Sequence, residues 1–311
     1  MMNKISILIP CYNEEENVVP MSEAIKNLFA NELVSYDYEL IFIDNDSHDN
    51  TRPLLREICA GNSKIKAIFN VKNFGQFNSP YYGILQSTGD CVISMVCDFQ
   101  DPIELIPQYI REWENGYKIV IGIKTSSREN PIMYRLRGLY YKIIKKFSDV
   151  EQIEHFTGSG LYDKEFVEVL RNLKDPTPFL RGIVAELGYK RKEIPYEQPQ
   201  RRAGKTHNNF YKLYDAAMLS FTSYTKIGLR LATFGGVFCG ILSAVVGIVY
   251  LIMKLVLWDS FVAGMAPVLI GMFFLGSVQL FFLGFIGEYV LSINQRVMNR
   301  PLVVEEERIN F

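Results

Sequence analysis

The sequence lacks three features that would place it in a familiar class. Its formal net charge is only -1, so overall charge points to no polyanionic partner, and we expect no nucleic acid ligand. The five cysteines include no C-x-x-C pair, which indicates neither a disulfide framework nor a zinc site and fits a reducing compartment. The apolar run within the first ten residues is too short for the core of a signal peptide. We therefore expect this run to form a buried strand and the soluble part of the chain to stay in the cytosol.

Two long stretches near the C-terminus carry no charge. Leu231 to Met253 is 23 residues long, and Ser260 to Gly287 is 28. About 20 apolar residues in a helix cross the hydrocarbon core of a bilayer, so both stretches are long enough to span it. The alternative is a helical hairpin buried in the core of a soluble protein. These lengths favour a transmembrane hairpin.

Basic residues flank this hairpin at its outer ends. They are Lys226 and Arg230 before the first stretch, and Arg296 and Arg300 after the second. The positive-inside rule therefore places both termini on the cytoplasmic side of a bacterial-type inner or plasma membrane. Small residues recur every four positions at Gly236, Gly240 and Ala244. Such a stripe would let another helix approach closely and permits a homo-oligomer.

Short apolar runs separated by helical patterns predict an α/β fold with a mostly parallel, Rossmann-like sheet covered on both faces. The runs are Ile5 to Ile9, Glu39 to Ile43, Ile65 to Asn70 and Cys91 to Cys97. Polar residues follow each run. The carboxyl ends of the strands form the ligand crevice in an open α/β sheet. We therefore expect a site built from Pro10, Tyr12, Asn13, Glu14, Asp44, Asp46, Asn73, Gln76, Asp98 and Gln100.

Some of these residues have simpler interpretations. Asn13 with Glu16 resembles a helix capping box, which would explain the first segment without a ligand. Asp49 and Thr51 are expected only to start a helix. Asp44 directly ends an apolar strand, so for this residue we favour ligand contact over turn formation.

The fourth apolar run ends in a short acidic loop, Val96 to Pro102. In this loop Asp98 presents a carboxylate and Gln100 an amide oxygen, hard ligands that suit Mg²⁺ or Mn²⁺ holding a diphosphate. We favour this metal site over a purely structural loop. A diphosphate site followed by a membrane hairpin predicts an enzyme that joins a water-soluble, activated donor to a lipid-bound acceptor.

An ordered set of motifs runs along nearly the whole chain. It comprises Pro10-x-Tyr12-Asn13-Glu14-x-Glu16-Asn17, Asp44-x-Asp46-Ser47-x-Asp49-x-Thr51, Asn73-x-Gly75, Asp98-x-Gln100-Asp101-Pro102-x-Glu104, Arg201-x-x-Gly204-x-Thr206 and the terminal pair of spans. Each motif alone is weak, but the ordered set resembles family 2 glycosyltransferases of the GT-A fold. Within them it is most similar to the polyisoprenyl-phosphate branch, which contains dolichol-phosphate mannose synthase and the bactoprenol glucosyltransferases.

This resemblance implies a reaction and a set of roles. The reaction is the inverting transfer of one sugar from a nucleotide sugar to a polyprenyl phosphate of the undecaprenyl type, with Mg²⁺ or Mn²⁺ as cofactor. A UDP-sugar is the favoured donor, and another nucleotide is the alternative. The resemblance implies that Asp98 and Gln100 bind the metal. The residues that it implies for donor binding are Pro10, Tyr12, Asn13, Glu14, Asp44, Asp46, Asn73 and Gln76.

Three positions depart from the family pattern. Val96 and Asn45 stand where Asp is usual, and His207 stands where Lys is usual. Val96 matters most, because the missing carboxylate is a potential metal ligand. Asp98, Gln100, the donor's phosphates and water can still complete an octahedral magnesium shell. We therefore expect a modified enzyme; the alternatives are a catalytically weakened lipid-binding or scaffold relative and a glycosyltransferase with another acceptor.

A basic stretch with Arg201, Arg202 and Lys205 precedes the membrane segment. Positioned Arg and Lys side chains stabilise charge on a departing diphosphate, so we expect Arg201 and Lys205 to be catalytic. The alternative is that they only contact anionic lipid headgroups. A lipid monophosphate needs no general base, because its second pKa is about 6 and it is largely dianionic at neutral pH. Asp163 is a candidate for an acid that assists the transfer, although a helix N-cap role is favoured for it.

Residues 133 to 148 predict a basic amphipathic helix lying in the membrane surface. The alternative is a core-packed helix with a solvated basic face. Arg135 and Arg137 of this helix, together with Arg128, are the expected acceptor-binding residues. Residues 208 to 226 resemble it and carry aromatic residues suited to the interfacial belt. The predicted organisation is a cytoplasmic catalytic domain (1–207), a juxtamembrane interfacial segment (208–228), two transmembrane helices (229–290) and a cytoplasmic tail (291–311).

Overall fold

The computed structural model describes residues 2–126, 150, 153–203, 210–257 and 265–311. Within these ranges eight strands form one mixed sheet in the order β7-β5-β6-β4-β1-β2-β3-β8. The strands are β1 (Lys4–Cys11), β2 (Asp37–Asp44), β3 (Ile65–Asn70), β4 (Cys91–Ser94), β5 (Ile119–Ser126), β6 (Phe156–Asp163), β7 (Arg191–Glu197) and β8 (Glu305–Ile309). The four central strands β4-β1-β2-β3 are parallel, as the sequence predicts.

The central strands are apolar on both faces because helices cover both. In β1, Ile5, Ile7 and Ile9 point into one core cluster, and Leu8 points into the other. Alternate residues of a strand point to opposite faces, so a run without polar residues requires two covered faces. The helices of this domain are α1 (Val18–Asn31), α2 (Thr51–Gly61), α3 (Gly75–Leu85), α4 (Leu105–Glu114), α5 (Lys164–Leu173) and α6 (Leu180–Glu186).

Three more helices follow: α7 (Phe210–Tyr224), α8 (Ile227–Val256) and α9 (Met265–Met298). Helix α8 and residues Val268–Met298 of α9 are long and apolar enough to cross a membrane, and the most apolar window of each is 0% buried. This exposure contradicts the alternative of a hairpin buried in a soluble core. Both helices extend beyond the uncharged stretches, because the helical hydrogen-bond pattern continues through the flanking polar residues.

The C-terminal segment does not remain a free tail. Its strand β8 pairs antiparallel with the sheet edge at β3, with Ile309 opposite Ala67. Two salt bridges join β8 to α2: Arg52 Nη1 lies 2.8 Å from Glu306 Oε2, and Arg56 Nη2 lies 2.6 Å from Glu307 Oε2. The chain thus leaves the apolar hairpin and covers the β3 edge of the sheet beside α2.

Candidate active site

The loops after β1 and β2 are bonded to each other at the carboxyl edge of the sheet. The Asn13 N–H donates to Ser47 Oγ (2.8 Å), and the His48 N–H donates to Asn13 Oδ1 (2.8 Å). Asn13 and Asp46 both adopt positive φ angles, a conformation that Asn and Asp tolerate better than most residues. Asn13 is therefore not a capping residue: the N-cap position of α1 is Asn17, and the capping-box alternative is wrong.

Residues Asp49 and Thr51 do start α2, but they also hold the neighbouring loop. Asp49 Oδ1 accepts the N–H of Thr51 (3.0 Å), while Thr51 Oγ1 accepts the N–H of Glu14 (2.8 Å). The expectation that they serve only the helix is wrong. Asp49 Oδ2 also accepts the N–H of Glu15 (3.2 Å), so the two residues together hold the backbone of Glu14 and Glu15.

Asp44 ends β2 and is completely buried. Its Oδ2 atom accepts from Arg52 Nε (2.6 Å) and from the Ser47 N–H (3.2 Å), so it holds the turn. Its Oδ1 atom is buried and has no hydrogen-bond partner within the described residues. Asp46 is partly exposed and lies 3.8 Å from Arg52. Neither Asp44 nor Asp46 lines the cavity described below.

Asn45, which stands where the family usually has Asp, joins the β2 and β3 loops. Its Nδ2 atom donates to Asn73 Oδ1 (3.0 Å) and to the Gly75 carbonyl (3.2 Å). Its Oδ1 atom accepts from the Phe74 N–H (2.9 Å). A carboxylate could not donate the first two bonds. The amide at position 45 therefore fits this loop arrangement, with Asn73 and Gln76 on the cavity wall.

The acidic loop after β4 turns back at Phe99, which has a φ of 62°. The Gln100 N–H donates to Asp98 Oδ1 (3.1 Å). Both Asp101 oxygens are already bonded: Oδ1 accepts from the Tyr196 hydroxyl of β7 (2.7 Å), and Oδ2 accepts from the Val96 N–H within the loop (3.2 Å). Asp98, Gln100 and Asp101 all line the cavity described below.

Arg201 lies between two carboxylates from different strand ends. Its Nη2 atom contacts Glu14 Oε1, and its Nε atom lies 3.5 Å from Asp98 Oδ2. Burial raises the pKa of Glu14 and of Asp98; the Asn17 amide and Arg201 oppose the rise at Glu14, and the Gln100 N–H and Arg201 oppose it at Asp98. The two carboxylates thus lie in a largely buried setting, with Arg201 as the positive charge between them.

One cavity of about 990 Å³ is lined by all three of these side chains. Part of its lining is formed by the expected site residues Pro10, Tyr12, Glu14, Asn73, Gln76, Asp98, Gln100 and Arg201. Another part is formed by α7 and α9, through residues including Met218, Thr222, Leu291, Ser292 and Gln295. The cavity therefore reaches from the carboxyl edge of the sheet to the last apolar helix.

Four expected site residues lie outside the described residues: Lys205 and the acceptor-binding set Arg128, Arg135 and Arg137. Asp163 is a helix N-cap, as the sequence predicts, because its side chain accepts from the Glu165 N–H (2.9 Å). It does not line the cavity. Tyr224, expected in the interfacial belt, is instead buried against Phe179.

Sequence reasoning missed the wall that α9 supplies. Glu288, Ser292 and Gln295 all line the cavity. They recur at i, i+4 and i+7, so they share one face of the helix. A polar face at this spacing at the end of an apolar span was the available signal. Arg181, at the start of α6, also lines the cavity and was missed, because a single Arg in a short helix carries no pattern.

A mostly parallel sheet with a polar crevice at its carboxyl edge is the architecture of many ligand-binding α/β proteins, and a family model gives the class of this one. Residues 6–171, more than half of the chain, match the model described as glycosyl transferase family 2. The chain belongs to this family, and its α/β sheet with a C-terminal apolar hairpin is a GT-A-like fold.

Curated relatives extend the similarity over the whole chain. The SfII prophage-derived bactoprenol glucosyl transferase of Shigella flexneri is 29% identical over 96% of this chain and 96% of its own length. The uncharacterized glycosyltransferase YkoT of Bacillus subtilis is 31% identical over 96% of this chain and 89% of its own. A crystal structure of glucosyl-3-phosphoglycerate synthase from Mycobacterium tuberculosis with Mg²⁺ and uridine-diphosphate has a TM-score of 0.42 and 15% identity, covering 71% of this chain and 77% of that one.

Proposed function

We propose that this glycosyltransferase moves one sugar, with inversion, from a UDP-sugar to a polyprenyl phosphate of the undecaprenyl type at the cytoplasmic membrane face. One observation carries the proposal: a single cavity joins the acidic loop of Asp98 to the membrane-side helices α7 and α9. A soluble donor and a lipid acceptor would need such a continuous space. The similarity to bactoprenol glucosyl transferases supports the acceptor class.

The donor half of the cavity suits a nucleoside diphosphate with a divalent cation. Asp98 and Gln100 offer a carboxylate and an amide oxygen, the hard oxygen ligands that Mg²⁺ or Mn²⁺ prefers. A cation held there acts as a Lewis acid that stabilises the charge on the departing diphosphate. Arg201, 3.5 Å from Asp98, is placed to bind the same phosphates. Pro10, Tyr12, Asn73 and Gln76 surround the remaining donor volume.

The acceptor half requires no proton removal. A lipid phosphate with a second pKa of about 6 is largely dianionic at neutral pH, so one of its oxygens attacks the anomeric carbon directly. The new bond joins that oxygen to the sugar, the bond to the diphosphate breaks, and the nucleotide leaves with the electron pair. Attack from the opposite face inverts the anomeric centre. The apolar side chains of Met218 and Leu291 line the cavity where the lipid chain would enter.

Orientation follows from the basic residues at the outer ends of α8 and α9. Lys226 and Arg230 lie at the start of the first helix, and Arg296 and Arg300 at the end of the second. Arg296 also pairs with Asp175 (2.8 Å), which ties α9 to the soluble domain. Placing this basic side in the cytoplasm puts the cavity at the inner membrane surface.

A second candidate function is lipid binding without efficient transfer. Val96 favours it, because this side chain is 38% exposed and lines the cavity at the position where the family usually has a metal-binding Asp. Magnesium-dependent turnover would exclude this candidate.

The test is transfer by the full chain purified in detergent. A panel of UDP-sugars is incubated with polyprenyl phosphate or, as a control, with the unphosphorylated polyprenol, each with Mg²⁺ or with a chelator. We expect a polyprenyl-phosphate sugar by mass spectrometry from at least one donor, only with the phosphorylated lipid and only with metal. Transfer to a different acceptor, or donor hydrolysis alone, would refute the proposal.

A further inference from the structure

The loop after β4 supplies only one carboxylate to the expected cation site, because position 96 is Val. A second carboxylate approaches the same point from the end of β1. A single guanidinium, Arg201, contacts Glu14 through Nη2 and lies 3.5 Å from Asp98 through Nε. The two acids therefore face the same guanidinium in the cavity, from the ends of different strands.

We propose that Glu14 supplies the carboxylate that position 96 lacks, and that Arg201 occupies the cation position until a divalent ion replaces it. This inference rests on the proposed function for the presence of the cation and the diphosphate. It assigns to Glu14 a role toward the metal in place of the donor contact expected from sequence.

Hydrogen bonds already orient both acids without using the oxygens that face Arg201. Glu14 Oε2 accepts from Asn17 Nδ2 (2.6 Å), and Asn17 is completely buried, so this bond fixes the carboxylate. Asp98 Oδ1 accepts from the Gln100 N–H (3.1 Å). If Arg201 leaves, Glu14 Oε1 and Asp98 Oδ2 lose their shared cation while each side chain keeps its anchor.

Two other acids near the loop, Asp101 and Glu15, already accept hydrogen bonds from other residues. Both Asp101 oxygens accept hydrogen bonds, from Tyr196 (2.7 Å) and from the Val96 N–H (3.2 Å). Glu15 Oε2 accepts from the backbone and side chain of Asn50, on the far side of the β2 loop. Within the described residues, Glu14 is the acid that shares Arg201 with Asp98, and Glu15 offers a matched control one residue away.

Charge explains why the exchange is favourable. Two largely buried carboxylates exceed the single positive charge of Arg201, and a divalent ion would balance them. The displaced guanidinium would then face the cavity, where a diphosphate brings its own negative charge. Arg binds phosphate with two parallel hydrogen bonds, so the donor favours the same exchange.

The experiment measures Mn²⁺ binding to the full chain in detergent by electron paramagnetic resonance, without and with uridine diphosphate. Glu14→Gln should weaken Mn²⁺ binding about tenfold or more, the scale of losing a metal-site contact. Glu15→Gln should leave it unchanged. Val96→Asp added to Glu14→Gln should restore binding. Arg201→Gln should tighten Mn²⁺ binding without nucleotide, because the competing cation is gone.

Each variant is also melted, so that a folding defect is not mistaken for a lost ligand. Normal Mn²⁺ affinity in Glu14→Gln, or a loss that Val96→Asp leaves unrescued while the melting temperature is normal, overturns the role of Glu14. Weaker binding in Arg201→Gln overturns the exchange. If the wild-type chain binds no Mn²⁺ and transfers sugar without metal, the metal part of the proposed function fails first, and the inference about Glu14 falls with it.

Discussion

Replacing Asp98 with Asn is the most direct test of the acidic loop, because the structure predicts opposite effects on rate and on stability. The amide keeps an oxygen for the Gln100 N–H (3.1 Å) but removes the charge that faces Arg201. Losing one preorganised electrostatic contact in an active site costs about 10² to 10³ in kcat, or about 3 to 4 kcal/mol. We therefore expect at least this loss of metal-dependent transfer.

Stability should respond differently. Burial raises the pKa of Asp98, so the folded chain holds this proton more tightly than the unfolded chain does. The charged carboxylate therefore destabilises the fold, and this cost grows as pH rises through the raised pKa. The neutral amide removes the cost. Asp98→Asn should melt at or above the wild-type temperature at neutral pH when no divalent metal is added.

Asp101→Asn is the matched control. Asp101 is 2% exposed, and both its oxygens accept hydrogen bonds, so the NH₂ group of an amide replaces one acceptor and either the Val96 N–H or the Tyr196 hydroxyl proton loses its partner. Leaving a buried group unsatisfied costs about 1 to 3 kcal/mol, and this variant should melt lower. The assay pairs initial transfer rates over a magnesium series with thermal melts of both variants. Near-wild-type turnover and magnesium dependence in Asp98→Asn would refute the metal-site assignment.

Three further predictions use other parts of the chain. Val96→Asp should lower the magnesium concentration needed for transfer with little change in maximum rate, because position 96 lines the cavity. An unchanged magnesium requirement would count against a metal site beside position 96. Changing Arg135 and Arg137 together to Gln should raise the KM for polyprenyl phosphate far more than that for the nucleotide sugar, because each basic residue near an anionic surface contributes about 1 kcal/mol; a rise in donor KM alone would move these residues to the donor site. Glu39 is 1% exposed, and desolvation alone would raise its pKa. Its hydrogen bonds, led by that of Lys66, outweigh desolvation and lower the pKa from 4.5 to about 2. The charged side chain therefore stabilises the fold above pH 4.5, and this stability is lost as pH falls toward 2. Glu39→Gln should therefore be destabilised by about 3 kcal/mol near neutral pH, with a deficit in melting temperature that narrows in acid; a constant deficit would contradict the ionic origin.

The sequence predicts elements whose signal is local. The segments that form β1 to β4 are apolar on successive residues. This is the pattern expected of a strand that is buried on both faces, so the sequence predicts these strands directly. Strand β8 has no such signal, since Glu305–Ile309 is mostly charged. Its partners Arg52 and Arg56 lie more than 250 residues away along the chain. Only the folded sheet edge makes this acidic segment a strand.

The candidate site divides in the same way. That four strand ends form one crevice follows from parallel order alone, and most of the expected donor residues do line one cavity. What each side chain does there depends on partners from distant segments. Asp44 is held by Arg52 on α2, away from the cavity, whereas Glu14 meets Arg201, 187 residues later. Position 96 illustrates the consequence: a missing Asp looks like a lost site when one motif is considered alone. In the folded chain a carboxylate from another strand end lies beside the same guanidinium as Asp98, so the loss at one position need not be a loss for the site.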